Sequence, residues 1–159
     1  PTKTFNIPGL QVSAIVTTNK QMKQAIDKRI KTLSLHMTSF FGPLAMQAAY
    51  EHGEEWLDNL LLYIQGNVDF AVQYLSQHLP QIKPFRMEGT YLLWIDCREL
   101  GLDAKGLKKL MHQEAKVAFN EGSTFGDEGK GFLRINLACP RSILQEALQR
   151  FCSAAQKYI

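Results

Sequence analysis

The sequence predicts an α/β chain in which one long helix separates a first α/β segment from a compact α+β lobe. Three observations carry that expectation. Apolar residues between positions 54 and 79 repeat at helical spacing for about seven turns. Residues 11–18 (QVSAIVTT) are rich in β-branched side chains, and residues 132–138 (FLRINLA) alternate strictly between apolar and polar faces. The 159 residues, 45% hydrophobic and 21% charged, can bury a sizeable core as one domain or two small lobes. That apolar content, without repeats or low-complexity tracts, excludes disordered and collagen-like classes.

Residues 4–9 read as a loop, punctuated by Asn6, Pro8 and Gly9, and residues 11–18 as a short strand. Asn19 is placed to cap a helix through about Leu33, with Met22, Ala25, Ile26, Ile30 and Leu33 on its buried face. Lys20, Lys23, Lys28, Arg29 and Lys31 form its solvated side. Pro43 suits the first turn of a short helix that ends near Tyr50 or Glu51 and is closed by Gly53. The long helix follows, with Leu57, Leu60, Leu61, Ile64, Val68, Ala71, Val72, Leu75 and Leu79 inward, until Pro80 and Pro84 end the pattern. Residues 85–87 and 91–97 then read as two strands around Glu88-Gly89. Asp103 caps a helix that buries Leu107, Leu110, Met111 and Val117. A glycine-rich loop over residues 120–131 leads into the alternating strand. Pro140 opens a last helix with Ile143, Leu144, Ala147, Leu148 and Phe151 inward. From Lys83 onward the order is β-β-α-β-α, an α+β lobe.

Several function classes fall away. The net charge of +3 is spread out, with neither a polybasic tail nor a basic–aromatic ladder, so nucleic acid is not an expected partner. The longest apolar runs, residues 60–64 and 91–95, are too short to cross a bilayer, and no membrane partner is expected. His36, His52, His78 and His112 have no metal-ligand spacing, so no metal is expected. The loop Gly126-Asp127-Glu128-Gly129-Lys130-Gly131 resembles a phosphate loop in composition alone. It opens a strand and has Gly131 where a P-loop needs Ser or Thr, so it reads as a flexible connection with a lid role at most. Met37, Met46, Met87 and Met111 read as core filler. The three cysteines, Cys97, Cys139 and Cys152, are odd in number and lack CxxC spacing. They read as reduced, mostly buried thiols in a cytoplasmic protein.

Arg134 is the residue that periodicity singles out. An arginine centred in an apolar strand is costly to bury without an anion, and its planar fork suits a carboxylate. That carboxylate can be a neighbouring side chain or a ligand, and the pattern leaves both open. Lys3, taken alone, is a solvated charge near a terminus.

Two segments, Thr2-Lys3-Thr4-Phe5-Asn6-Ile7-Pro8-Gly9-Leu10 and Gly131-Phe132-Leu133-Arg134-Ile135-Asn136-Leu137-Ala138-Cys139-Pro140, change that reading. Together they resemble the pyridoxal-phosphate (PLP) enzymes of fold type I, the class I/II aminotransferase superfamily. Within it the chain is most similar to the MalY/PatB-type cystathionine β-lyase and C–S lyase branch. Ala48-Ala49-Tyr50, Gly53-Glu54-Glu55-Trp56-Leu57-Asp58 and Glu88-Gly89-Thr90-Tyr91-Leu92-Leu93-Trp94-Ile95-Asp96 are also similar to that branch.

The resemblance implies a fold: the C-terminal portion of the large, cofactor-binding domain, plus a small α+β domain, joined by the long helix. Residues 1–53 would end the large domain, 54–79 would be the interdomain helix, and 80–159 the small domain. It also implies roles. Lys3 would be the catalytic lysine that binds PLP covalently, and Arg134 would hold the carboxylate of an amino-acid substrate. The activity implied is β-elimination from sulfur amino acids, giving pyruvate, ammonia and a thiol. An aminotransferase is the near alternative, and a non-catalytic module acting through protein contacts is the distant one. The full-length enzyme would be a homodimer. Family members are roughly twice as long or more, and the opening Pro1-Thr2-Lys3 lacks an initiator Met, so the chain is expected to be cut from a longer one and inactive alone. One departure stands out. Many relatives carry a basic, phosphate-contacting residue some eight positions after the lysine, where this chain has Gln11.

Overall fold

The computed structural model describes residues 1–35 and 39–159; the expectations for His36 and Met37 lie outside them. The chain divides into two units, Pro1–Leu60 and Leu61–Ile159.

The first unit is helical. A turn closed by the Phe5 N–H on the Pro1 carbonyl (2.9 Å) leads to a single 3-10 turn, Pro8–Leu10. Residues 11–18, expected as a strand, form no regular element and have no ladder partner among the described residues. Side-chain branching favours a pleated surface but supplies no neighbour to pair with. Helix α1 (Lys20–Thr32) starts at the expected cap, where the Asn19 side chain accepts from the Met22 N–H at 3.0 Å. Its apolar face is not buried: Met22 and Leu33 are exposed and Ile26 and Ile30 half-buried. Helix α2 (Phe41–His52) ends at Gly53, whose N–H bonds the Ala49 carbonyl. Phe5 packs edge-on against Tyr50 (5.2 Å between ring centroids) and lies 6.5 Å from Trp56. A Cβ at Gly53 would fall 2.8 Å from the Phe5 ring, so glycine is what lets this aromatic clamp close.

Helix α3 (Glu54–His78) is the long helix, and the division between the units falls within it. In the second unit it buries Ile64, Asn67, Ala71 and Leu75 at spacings of three and four, with Leu79 just beyond its end. Leu61, expected inward, is exposed.

The rest of the second unit is an antiparallel sheet covered on one face by helices. Strand β1 is Lys83–Pro84, shorter and earlier than residues 85–87. The Phe85 N–H still bonds the Trp94 carbonyl, but the ladder ends there. Strand β2 is Leu92–Asp96. Helix α4 (Ala104–Lys109) has Asp103 as its cap, accepting from the Gly106 N–H at 2.7 Å, and runs into a π turn over Leu110–Ala115. Strand β3 (Asn120–Glu121) was not expected, since two residues carry no periodicity. Strand β4 is Phe132–Asn136, and helix α5 is Arg141–Ala155. The sheet order is β1-β2-β4-β3. Alternation sends Leu93, Ile95, Leu133 and Ile135 into the core with Leu75, Leu107, Leu144, Leu148 and Phe151. Each such fully buried side chain contributes about 1.5–3 kcal/mol. Ile143, expected inward, is 57% exposed.

Candidate functional site

The face of the sheet opposite the core carries the polar chemistry. In β4 the residues off the core are Phe132, Arg134 and Asn136, and in β2 they are Leu92, Trp94 and Asp96. Register sets Arg134 between Trp94 on β2 and Asn120 on β3, and Phe132 opposite Asp96. The Arg134 guanidinium lies over the Phe125 ring at 4.2 Å, and its Nη2 donates to Asn120 Oδ1 at 3.1 Å. Its Nε is buried without a hydrogen-bond partner, and no carboxylate lies within ion-pair distance among the described residues. Of the two sources that the strand pattern left open, a side-chain carboxylate is thereby absent from this chain's own described residues.

Arg98 provides the contrast on the same face. Its Nε donates to Asp96 Oδ1 at 3.0 Å and its Nη2 to Oδ2 at 2.7 Å, a two-pronged pair that leaves no charge to offer a ligand. Those hydrogen bonds hold the Asp96 carboxyl below its ordinary value, against the opposing effect of partial burial.

The glycine-rich loop is folded, not loose. Two 3-10 turns, Gly122–Phe125 and Asp127–Gly129, bring the Gly122 and Gly129 backbones into direct contact, so a Cβ at either would collide with the other's carbonyl. Gly131 has φ +83°, and a Cβ there would lie 2.5 Å from the Arg98 side chain. This packing fixes Phe125 beneath Arg134. Beside them Phe85, Trp94, Phe125, Glu128, Gly129 and Phe132 line a cavity of about 430 Å³.

Behind the strand, one buried polar residue ties the site to α3. Asn67 is 0% exposed; its Nδ2 donates to the carbonyls of Leu137 (2.7 Å) and Cys139 (3.0 Å). Its Oδ1 accepts from Arg141 Nε at 2.7 Å, and the Tyr63 hydroxyl accepts from the Arg141 N–H. The turn after β4 is closed by the Asn136 side chain, which accepts from the Ala138 N–H at 2.8 Å. Sequence reading missed Asn67, Asn120 and Phe125. Asn67 was the detectable one, a polar residue in the Ile64–Ala71 row of inward positions.

Lys3 belongs to the first unit and Arg134 to the second. Lys3 is exposed in the turn that Phe5 anchors, with no ion pair or hydrogen bond among the described residues. A free primary amine on a pinned turn fits the covalent attachment of an aldehyde cofactor. Gln11, left-handed at φ 49° and exposed, is uncharged and supplies no cationic contact to a phosphate. The histidines add nothing: His52 sits 3.8 Å from Glu51, His78 stacks on Tyr74, and no group of three metal-ligating residues occurs among the described residues. No helix among the described residues is long and apolar enough to cross a membrane.

No family model matches the chain. It is 36% identical over 154 residues to the cystathionine β-lyase PatB of Bacillus subtilis, covering 97% of this chain and 40% of that one. It is 33% identical over 153 residues to the protein MalY of Escherichia coli, covering 96% and 39%. Among solved structures, cystalysin from Treponema denticola, which contains a pyridoxal 5'-phosphate cofactor, superposes with TM-score 0.93 at 37% identity, over 99% of this chain and 40% of that one. The chain thus spans about two fifths of the length of the relatives that it matches.

Proposed function

We propose a function from one premise: this chain belongs to the fold type I, PLP-dependent family of PatB and MalY and matches the C-terminal part of its members. The whole protein is a C–S β-lyase that takes a sulfur amino acid and water to pyruvate, ammonia and a thiol. Arg134 carries the reading. Its half-buried guanidinium is held in place by Phe125 and Asn120, yet has no carboxylate of its own. Such a group is complete only with an anion, and the α-carboxylate of an amino acid matches its fork.

Lys3 would hold the cofactor through Nζ and, once displaced by the substrate amine, would move the α-proton as an amine base. PLP, when bound, supplies an electron sink for the charge released at the substrate's Cα. Arg134, by fixing the carboxylate, sets which Cα bond is presented for cleavage. Residues 1–53 are assigned to the large domain, 54–79 to an interdomain helix and 80–159 to the small domain. The proposed assembly is a homodimer, supported by exposed apolar side chains such as Phe40, Phe41 and Leu44 on the first unit. A cytoplasmic setting is supported by the three free thiols.

The test is made on the longer chain that contains these residues, with cystathionine as substrate. Lys3→Ala is expected to abolish pyruvate release, with no cofactor retained after borohydride reduction. Arg134→Lys is expected to raise KM about tenfold or more while bound cofactor stays unchanged. Loss of cofactor in step with activity in Arg134→Lys would make that residue structural and overturn the assignment. The 159-residue chain alone is expected to hold PLP weakly and show no turnover.

A further inference from the structure

Arg141, the first residue of α5, is a cation that the fold holds in place and leaves without a counter-charge. One stripe of α3 is given over to it. Tyr63, Gly66, Asn67 and Phe70 stand at positions i, i+3, i+4 and i+7, and all four meet Arg141. The Tyr63 hydroxyl accepts from its backbone N–H at 2.9 Å, and Asn67 Oδ1 accepts from its Nε at 2.7 Å. Phe70 lies under the guanidinium, with 4.8 Å between Cζ and the ring centroid. Gly66 leaves the space that the guanidinium occupies, since a Cβ there would come within 3.1 Å of Nη2. A glycine inside a helix costs about 0.5–1 kcal/mol relative to alanine, so this stripe gives up helix stability where Arg141 lies. The plane is fixed, yet both Nη groups are uncommitted. Neither makes a hydrogen bond, and no carboxylate lies within ion-pair distance of Arg141, among the described residues. The first turn of α5 has no acidic residue either, so the charge stands uncompensated at the positive end of a helix. The surface around this half-buried arginine is apolar, with Tyr63 48% exposed and Ile143 57% exposed.

We propose that Arg141 is the docking point for an aspartate or glutamate side chain from the part of the longer chain that precedes these residues. A planar fork held by neutral partners, with Nη1 and Nη2 turned outward, suits a carboxylate that meets it end-on. Exposed apolar side chains on both sides suit a covering stretch of protein more than a free solute, which would leave them in water. The chain matches the C-terminal part of its relatives and covers about two fifths of their length, so most of each relative lies ahead of the match. Being on the same chain, that portion is present at high effective concentration. Asn67 has a definite part in this arrangement: it bonds Nε without cancelling the charge, where an aspartate would pair with the guanidinium and close the place to any incoming group. The inference rests on family membership alone, and it stands or falls independently of Arg134 and of the lyase reaction.

The test uses the longer chain carrying Arg141→Lys, treated with a carbodiimide, which condenses an amine with a carboxylate held against it. Peptide mass mapping then locates the join. The expected product is an amide between the amine at position 141 and an aspartate or glutamate ahead of Pro1, running as a single chain on a denaturing gel. Coupling to a carboxylate within residues 1–159, coupling that doubles the chain mass, or no coupling would each overturn the proposal. A second measurement needs no substitution. The Arg141 Nε–H resonance is followed in the 159-residue chain and in the longer chain while sodium acetate or inorganic phosphate is titrated in at constant ionic strength. Acetate should shift it in the 159-residue chain and act about tenfold more weakly in the longer one, where the place is filled. An equal response to either anion in the two chains would make Arg141 an open anion site and overturn the docking role. No response to acetate in the 159-residue chain would overturn it as well.

Discussion

Replacing Asn67 with alanine tests whether the strand carrying Arg134 is held in place from α3. Three hydrogen bonds go at once: two donated to the Leu137 and Cys139 carbonyls, and one accepted from the Arg141 guanidinium. They are not equal. The Leu137 carbonyl sits on a fully buried residue, with no water to take over from Asn67, so its loss costs about 1–3 kcal/mol. Cys139 is half-buried and Arg141 keeps its place over Phe70 at 4.8 Å, so both regain solvent partners and add about 1 kcal/mol each. The expected destabilisation of the second unit is therefore about 3–5 kcal/mol. Urea unfolding followed by Trp94 emission in a Trp56→Phe background reads that unit. With a slope of about 1.5 kcal/mol per molar urea, the midpoint should fall by about 2–3 M. Arg141→Ala completes a double-mutant cycle, whose coupling should be about 1.5 kcal/mol for a charge-assisted bond. A midpoint shift of about 0.3 M or less, or strict additivity with Arg141→Ala, would refute the idea that Asn67 anchors this turn.

Two further predictions concern titration and thiol chemistry. The Tyr158 hydroxyl, followed by Lys157, holds Glu114 below its ordinary 4.5, and Arg98 holds Asp96 below its ordinary 3.8. A carboxyl depressed by folding adds stability that is complete above its unfolded value and lost as pH falls through its folded one. The same contact raises Tyr158 above 10.0, so its contribution is complete below that pH and lost as pH rises through the folded value. Unfolding midpoints should thus be level between about pH 5 and 8 and fall at both ends, and Tyr158→Phe should lessen the alkaline fall, the rest of which comes from the buried thiols of Cys97 and Cys152. An unchanged profile in Tyr158→Phe would sink the clasp. Among the thiols, burial pushes Cys152 up to about 12 and Cys97 higher still, whereas Cys139 is half-buried beside a surface cavity. A thiol reagent at pH 8 should therefore modify Cys139 alone in the native chain and all three in denaturant, as mapped by peptide mass. Native modification of Cys97 would contradict the packing behind the sheet.

Local signals were legible and non-local ones were not, and particular residues show why. Asn19 and Asp103 were readable as helix caps because the bond each makes lies within three residues of it. The alternation of β4 gave both its faces, and with them Arg134, because a strand's period is written in its own sequence. Residues 11–18 were misread as a strand because pairing is a property of two segments, and only one is within view. The apolar side of α1 and Ile143 on α5 were placed inward for the same reason: periodicity says that a face is apolar, not that something covers it. Asn120 and Phe125 reach Arg134 from a loop whose geometry depends on two glycine backbones touching, a contact that no periodicity encodes.

The two arginines of the outer sheet face, finally, differ in what the fold sets beside them. Both project from the same side of the sheet, and both stack on a phenylalanine, Arg98 on Phe132 and Arg134 on Phe125. They differ in what stands beside them. Arg98 has Asp96 two residues away, a carboxylate in bidentate reach, and is spent on it. Arg134 has Trp94 on one neighbouring strand and Asn120 on the other, both neutral, and keeps an unpartnered buried Nε. Leaving such a donor unsatisfied costs about 1–3 kcal/mol, which an aspartate at position 120 would relieve. An asparagine there can still fix the guanidinium plane through one hydrogen bond without cancelling its charge. Arg134 therefore keeps its charge among neutral neighbours, and the substrate carboxylate of the proposed function would compensate it.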